Sequence, residues 1–221
     1  MNKGTYFISG IDTDAGKSYV TGIIAKRLME EGKSVITHKF IQTGCDDFKA
    51  FRSIDIAIHR KIMGNGYYDE DIDGTTSPCT FAYPASPHLA SEMENRVIDF
   101  PAIEKSLNLL KNKFDIVLTE GAGGLVVPLT KTYNTLDYIC DHKLPLIFVT
   151  SGRLGSINHT ILSLEVAKSR GVDVVAVAYN HHFDNDGIIS KSTFEYIKEY
   201  IQTNFPSCEI IDIETIKEVE I

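Results

Sequence analysis

The sequence predicts an α/β fold, a mostly parallel sheet with helices on both faces, and three observations predict it. Short runs that are apolar throughout recur along the chain, separated by stretches with helical spacing; this is the pattern of strands buried on both sides. A glycine-bounded segment, GIDTDAGKS at 10–18, stands between the first apolar run and the first helical stretch. No repeat, low-complexity tract or Pro/Ser-rich linker divides the 221 residues, so one domain over 1–221 is expected.

The elements follow in order. TYFISG (5–10) reads as a strand. Residues 18–31 read as a helix, with Val20, Ile23, Ile24 and Leu28 on one face and Gly32 as its stop. SVITHKF (34–40) is a second strand, and a helix is expected near 47–62. The segment 44–98 is otherwise irregular and rich in Gly, Asp and Pro, and reads as a long excursion over the ligand edge. A helix over 99–112 places Ile103, Leu107 and Leu110 together, and DIVLTEG (115–121) is a continuous buried strand. LPLIFVT (144–150) and DVVAVAYN (173–180) are two more strands, with a helix over 156–169 between them. A last helix over 190–203 precedes a strand at 209–213. The histidine pair His181–His182 reads as part of a surface loop, because adjacent strand residues face opposite ways and do not share one ion.

Composition narrows the function. Hydrophobic content is 43% and charged content 24%, ordinary for a globular chain. The net charge of −8 argues against a nucleic-acid partner or an anionic membrane, which call for a basic surface. Cys45, Cys79, Cys140 and Cys208 form no C-x-x-C pair, so reduced, scattered thiols in a cytoplasmic protein are expected. The first ten residues lack the apolar stretch of a signal peptide, and the longest apolar runs are too short to span a bilayer.

GIDTDAGKS carries the clearest chemistry. Glycines let the backbone curl so that its N–H groups face an anion, and the following helix presents its positive end. Lys17 can reach terminal phosphates and the Ser18 hydroxyl can ligate magnesium. The expected fold is therefore a P-loop NTPase-like sheet. Five residues rather than four separate Gly10 from Gly16. With Asp12 and Asp14, the extra residue points away from an ordinary GTPase or kinase loop. In FDIVLTEGAGGL (114–125), Glu120 ends a buried strand, the end that faces the ligand crevice in open α/β sheets. The alternative is a charged strand end before a flexible turn. On spacing alone, Lys39 reads as a surface lysine at a strand end and Asp55 as a solvated helix residue.

Five blocks in order resemble the dethiobiotin synthetase family: GIDTDAGKS; HKFIQTG (38–44); SPCTFAYPASPHLASEMENRVID (77–99); TEGAGGLVVPL (119–129); and SGRLGSINHTILSLEVAKSRG (151–171). The resemblance implies an ATP-dependent ligase that joins CO2 to 7,8-diaminononanoate, giving dethiobiotin, ADP and phosphate. One amine captures CO2 as a carbamate. Its oxygen attacks the ATP γ-phosphate, and the second amine closes the ring on the mixed anhydride. These species are mostly anionic, so positive charge and positioning supply the catalysis and no protein nucleophile is needed.

The resemblance also implies roles. Lys17 and Lys39 are the catalytic lysines. Thr13, Asp14, Ala15, Gly16, Lys17, Ser18 and Tyr19 line the nucleotide, with Gly121, Ala122 and Gly123 opposite and Asn180 toward the base. Ser18, Asp55 and Glu120 serve magnesium. Thr43 touches the substrate, and Gly155, Ser156 and Asn158 hold its carboxylate end from the partner subunit of a homodimer.

Three departures stand out: Phe40 follows Lys39 where the family often has proline, Ser18 replaces threonine, and NFPSCEIIDIE (204–214) has no Gly-x-Ile-Pro-like turn. The last leaves the adenine side without its usual frame. The runner-up is a switching ATPase of the partitioning type. It calls for an extra lysine early in the loop, and none precedes Lys17. A relation to cobyrinate amide synthases calls for an amidotransferase domain that 221 residues leave no room for.

Overall fold

A computed structural model describes residues 1–45, 53–184 and 186–215. Its elements are β1 (Gly4–Gly10), α1 (Lys17–Glu30), β2 (Val35–Lys39), α2 (Ile54–Met63), α3 (Asp69–Ile72), α4 (Pro87–Met93), α5 (Phe100–Lys113), β3 (Ile116–Glu120), α6 (Thr135–Asp141), β4 (Leu146–Ser151), α7 (Ser156–Ser169), β5 (Val174–Asn180), α8 (Gly187–Asn204) and β6 (Glu209–Ile213). A 3-10 turn, His181–Phe183, follows β5.

The six strands form one parallel sheet in the order β2-β3-β1-β4-β5-β6. From β1 the chain crosses beyond β3 to reach β2, and later extends the other way through β4 to β6. β1 is therefore the switch point, where a crevice opens at the carboxyl ends of the strands. Every residue of β2, β3 and β4 is buried, as strands covered on both faces are; in β2 this includes the polar Thr37, His38 and Lys39.

Register then sets the site. Lys39 pairs with Glu120 across β2 and β3, and Glu120 with Ile8 of β1. Phe40, fully buried, lies 5.4 Å from the Phe7 ring and 4.5 Å from the Tyr138 ring. Its N–H donates to the Glu120 carbonyl at 2.9 Å, a bond that proline cannot make. Phe40 thus extends the β2–β3 ladder by one residue just beyond Lys39.

Most expected elements are present with ends displaced by one to three residues. Three regions differ. α6 was not expected; Asn134 and Asp137 cap it reciprocally, at 3.0 and 2.9 Å, and it buries Leu136, Tyr138 and Ile139. The helix expected from 47 runs from Ile54 in the described residues, with 46–52 outside them. The excursion is more regular than expected: it carries α3 and α4, and residues 76–81 are stitched to 39–45 by Lys39 N to Thr76 O (2.7 Å), Gln42 N to Cys79 O (2.9 Å), Phe81 N to Gln42 O (2.8 Å) and Cys45 N to Phe81 O (3.1 Å). Thr43 is carried on that double ribbon.

Candidate nucleotide and ligase site

The loop after β1 turns into α1 through Gly16, whose φ of 80° is left-handed and suits glycine. Lys17 is buried and folds back over the loop, its Nζ donating to the carbonyls of Asp12 (2.7 Å) and Thr13 (3.2 Å). Burial, and next the nearby Lys39 ammonium, lower its pKa to about 8 against the pull of Glu120, Asp55 and Asp12. Thr13 and Asp14 are exposed on the loop's outer edge, while Ala15 is buried.

Lys39 is no surface lysine. It is buried, and its Nζ meets Asp55 Oδ2 at 2.5 Å, Glu120 Oε1 at 2.7 Å and the Gly121 carbonyl at 3.0 Å. Burial disfavours the charge, but the two carboxylates outweigh it and hold the pKa above that of free lysine. Glu120 is 1% exposed; burial raises its pKa, yet Lys39 and His59 prevail and its carboxyl sits far below the usual range. Glu120 Oε1 also accepts from Ser18 Oγ at 3.0 Å. Asp55 lies in the first turn of α2, where Ser53 Oγ accepts from Ile56 N at 3.2 Å. Gln42 Oε1 in turn accepts from Ser53 Oγ at 2.7 Å, joining the β2 exit to the start of α2.

Ser18, Asp55 and Glu120 therefore gather oxygen donors of the hard type that suits magnesium, around one lysine. Among the described residues no group of three or more His, Cys, Asp or Glu forms a cage. One hydroxyl and two carboxylates fit an ion that takes its other ligands from phosphate and water.

The turn after Glu120 presses against its neighbours. A Cβ on Gly121 would lie 2.8 Å from the Phe7 ring, so only glycine fits there without displacement. Beyond it, a cleft of about 450 Å³ is lined by Thr13, Thr43, Pro84, Ser86, Ala122 and Gly123, among others, a size that suits a small ligand. This is where Thr43 and the 77–99 block meet the phosphate loop.

Asn180, at the end of β5, is buried, with Nδ2 donating to the Ala15 carbonyl at 3.1 Å and Oδ1 accepting from His182 N at 3.1 Å. It braces the phosphate loop from the β5 side. Tyr19 Oη donates to the Glu214 carbonyl at 3.2 Å, tying the start of α1 to the residue just after β6. His181 and His182 lie in the turn after β5, where His181 is held between Asp184 (2.6 Å) and Asp212 (2.7 Å), tying β5 to β6.

Gly155, Ser156 and Asn158 sit apart, at the start of α7. Gly155 has φ 94°, Asn158 is exposed, and the Ser156 hydroxyl is buried against Ser151 Oγ at 3.2 Å. Arg153, just before them, pairs with Asp12 of the phosphate loop. No hydrogen bond or ion pair among the described residues links 155–158 to Lys39. His59, Arg60 and Asp71, which lie buried behind Glu120, were not singled out from sequence. The visible clue was the spacing of His59 four residues after Asp55, on the same helix face.

A parallel sheet that switches at β1, with a lysine-bearing glycine loop there and a strand-end carboxylate beside it, defines a phosphate-loop nucleotide-binding protein. A family model described as an AAA domain matches residues 4–214. The ATP-dependent dethiobiotin synthetase of Pasteurella multocida is 49% identical over 94% of this chain and 97% of that protein. The one from Haemophilus influenzae is 54% identical over 84% and 95%, and the one from Chlorobaculum tepidum 46% over 94% and 86%. The chain belongs to the ATP-dependent dethiobiotin synthetase family. Among solved structures, pNOB8 ParA bound to nonspecific DNA has a TM-score of 0.56 at 13% identity, covering 98% of this chain and 86% of that one; this likeness is one of fold alone. No helix among the described residues is long and apolar enough to cross a membrane.

Proposed function

We propose that this chain closes the ureido ring of dethiobiotin from 7,8-diaminononanoate, CO2 and ATP, in keeping with its membership of the ATP-dependent dethiobiotin synthetase family, and that Lys17 and Lys39 are its catalytic lysines. The observation that carries the reading is the meeting of Lys17, Ser18, Lys39, Asp55 and Glu120 at the carboxyl ends of β1, β2 and β3. Two buried ammonium groups suit a path whose carbamate, mixed anhydride and transferring phosphoryl group are all anionic.

The roles follow from position. Lys17 and the N–H groups of residues 13–18 bind the phosphates, Lys17 exchanging the carbonyls of Asp12 and Thr13 for phosphate oxygens. Ser18, Asp55 and Glu120 hold magnesium, which supplies charge neutralisation at the phosphates. Lys39 gives up one of its three acceptors to reach the carbamate oxygen, and Asp55 and Glu120 keep it protonated until then. Thr43 faces the diamine in the cleft it shares with Thr13 and Ser86. Asn180 and Tyr19 frame the base side. The carbamate oxygen attacks the γ-phosphorus as ADP departs. The free amine then attacks the carbamoyl carbon, phosphate leaves, and the amine proton passes to solvent or phosphate.

A cytoplasmic homodimer completes the reading. The four cysteines are free thiols, in keeping with a reducing compartment. Leu154, Leu162 and Val166 are exposed around the start and outer side of α7, an apolar surface that suits a second copy. From there the Gly155–Asn158 helix start of one copy serves the other's substrate carboxylate.

The test is product formation from purified protein, magnesium, ATP, bicarbonate and 7,8-diaminononanoate, followed by mass. Diamine-dependent dethiobiotin with one ADP per product is expected. Absence of product with ATP, CTP and GTP in turn sinks the assignment.

A further inference from the structure

Behind Glu120 the buried side chains form one directed set of hydrogen bonds. His59 is fully buried, with Nε2 2.7 Å from Glu120 Oε2 and Nδ1 3.0 Å from Thr37 Oγ1. Arg60 Nη1 donates to the same Thr37 Oγ1 at 2.7 Å, and Nη2 to the Thr37 carbonyl at 3.3 Å. Arg60 also forks onto Asp71, Nε to Oδ2 at 2.7 Å and Nη2 to Oδ1 at 2.8 Å. Asp71 is fixed further by Thr76 Oγ1 (2.7 Å) and Tyr68 N (2.8 Å).

The donor directions follow from this inventory. Arginine only donates, so Thr37 Oγ1 accepts from Arg60. An ionised carboxylate only accepts, so His59 Nε2 carries a ring proton and donates it to Glu120 Oε2. The other oxygen, Oε1, faces Ser18 Oγ and Lys39 Nζ.

We propose that His59 is a positioning residue for Glu120, which occupies Oε2 so that Oε1 alone is offered to magnesium. The proposal rests on the ligand set assigned to Ser18, Asp55 and Glu120 above. It has a consequence for selectivity. A carboxylate limited to one oxygen suits the small octahedral Mg2+, whereas Ca2+ readily takes both oxygens at a larger coordination number. His59 thus disfavours Ca2+ without touching the ion. Partners of this kind around metal ligands commonly change affinity by about 10- to 100-fold.

Two variants separate positioning from packing. The amide of His59→Gln extends far enough to bring its nitrogen toward Glu120. That of His59→Asn ends near the Nδ1 position and faces Thr37. Both leave a buried amide, so a purely structural role treats them alike. Mg2+, then Ca2+, is titrated calorimetrically into full-length protein saturated with ADP, without diamine and hence without turnover; thermal melts are recorded beside each titration. We expect His59→Gln to bind Mg2+ within about threefold of wild type. His59→Asn should bind it roughly 10- to 100-fold more weakly and lose much of the preference for Mg2+ over Ca2+. Where the asparagine variant does not fold, His59→Met, which has no donor, takes its place. Wild-type Mg2+ affinity and selectivity in a folded variant lacking the donor overturns the proposal, and so do equal losses in the glutamine and asparagine variants. A wild-type protein whose ADP complex binds no Mg2+ overturns the ligand set itself, which keeps the two failures apart.

Discussion

Lys39 is held by Asp55, Glu120 and the Gly121 carbonyl at once, which alters what its removal does. Lys39→Ala takes away the charge that steadies the carbamate, and turnover should fall on the order of 10³-fold. It also leaves two carboxylates facing each other, one of them fully buried, at a cost of about 3–5 kcal/mol. Thermal melts should therefore show a loss of stability that magnesium partly restores; near-normal turnover in the variant removes Lys39 from the reaction. Lys17→Ala should weaken ATP binding roughly 10- to 100-fold, read by calorimetry, because its Nζ, held over the loop by the Asp12 and Thr13 carbonyls, is the group that would turn to the phosphates. Unchanged affinity sinks the phosphate-loop assignment. The roles proposed for Lys17 and Ser18 were legible from the loop itself. Those proposed for Lys39 and Asp55 came only through family resemblance, since a strand-end lysine and a helix aspartate look like surface residues until the register of β2 on β3 buries Lys39 and α2 brings Asp55 against it. The Thr37, His59, Arg60 and Asp71 set was not legible, because its members lie on β2, α2 and α3 and only the fold brings them together.

At the scale of elements, α2 is positioned by its contact with α1. A Cβ on Gly22 of α1 would lie 2.9 Å from Ile62 Cβ and 3.0 Å from Ile62 Cδ1. The Cβ atom is fixed to the backbone, so relief requires α2 itself to move. Gly22→Val should therefore destabilise the protein by about 1–3 kcal/mol, and the shift of α2 should pull Asp55 from Lys39. Urea melts and steady-state rates measured together check this; a variant as stable and active as wild type means α1 and α2 do not need their close approach. Strands β1 to β5 and the long helices were readable because each buries a nearly continuous run or a helical face, whereas β6, buried only at Ile213, was read from its β-branched composition. α6 was missed although its Asn134–Asp137 capping box stands in the sequence, since its two turns are too short for a periodic signal. The 76–81 ribbon was missed for another reason: it pairs through backbone groups, which leave no side-chain pattern.

For the molecule as a whole, the buried His38 couples folding to pH. It sits at 0% exposure, Nδ1 2.7 Å from Thr119 Oγ1, and burial, then the neighbouring Lys39 charge, push its pKa down to about 3 from 6.5. In the unfolded chain it takes up a proton below pH 6.5; in the folded protein it does not. The unfolded state thus binds more protons between those limits, so stability is intact above pH 6.5 and declines as pH falls, by up to about 1.4 kcal/mol per unit. The depressed carboxyl of Glu120 acts in the same direction, but only below its unfolded value of 4.5. The raised Lys39 is protonated in both states throughout this acid range and adds no slope. The window from pH 6.5 to 5 therefore isolates His38 among these three core groups. His38→Asn keeps an amide nitrogen for Thr119 and removes the titration. Urea unfolding at half-unit steps from pH 7 to 5 should give a wild-type curve that falls more steeply than the variant's, by close to one proton. Parallel curves would mean that His38 is protonated in the fold, and that the buried end of the β2–β3 pair carries a second positive charge beside Lys39.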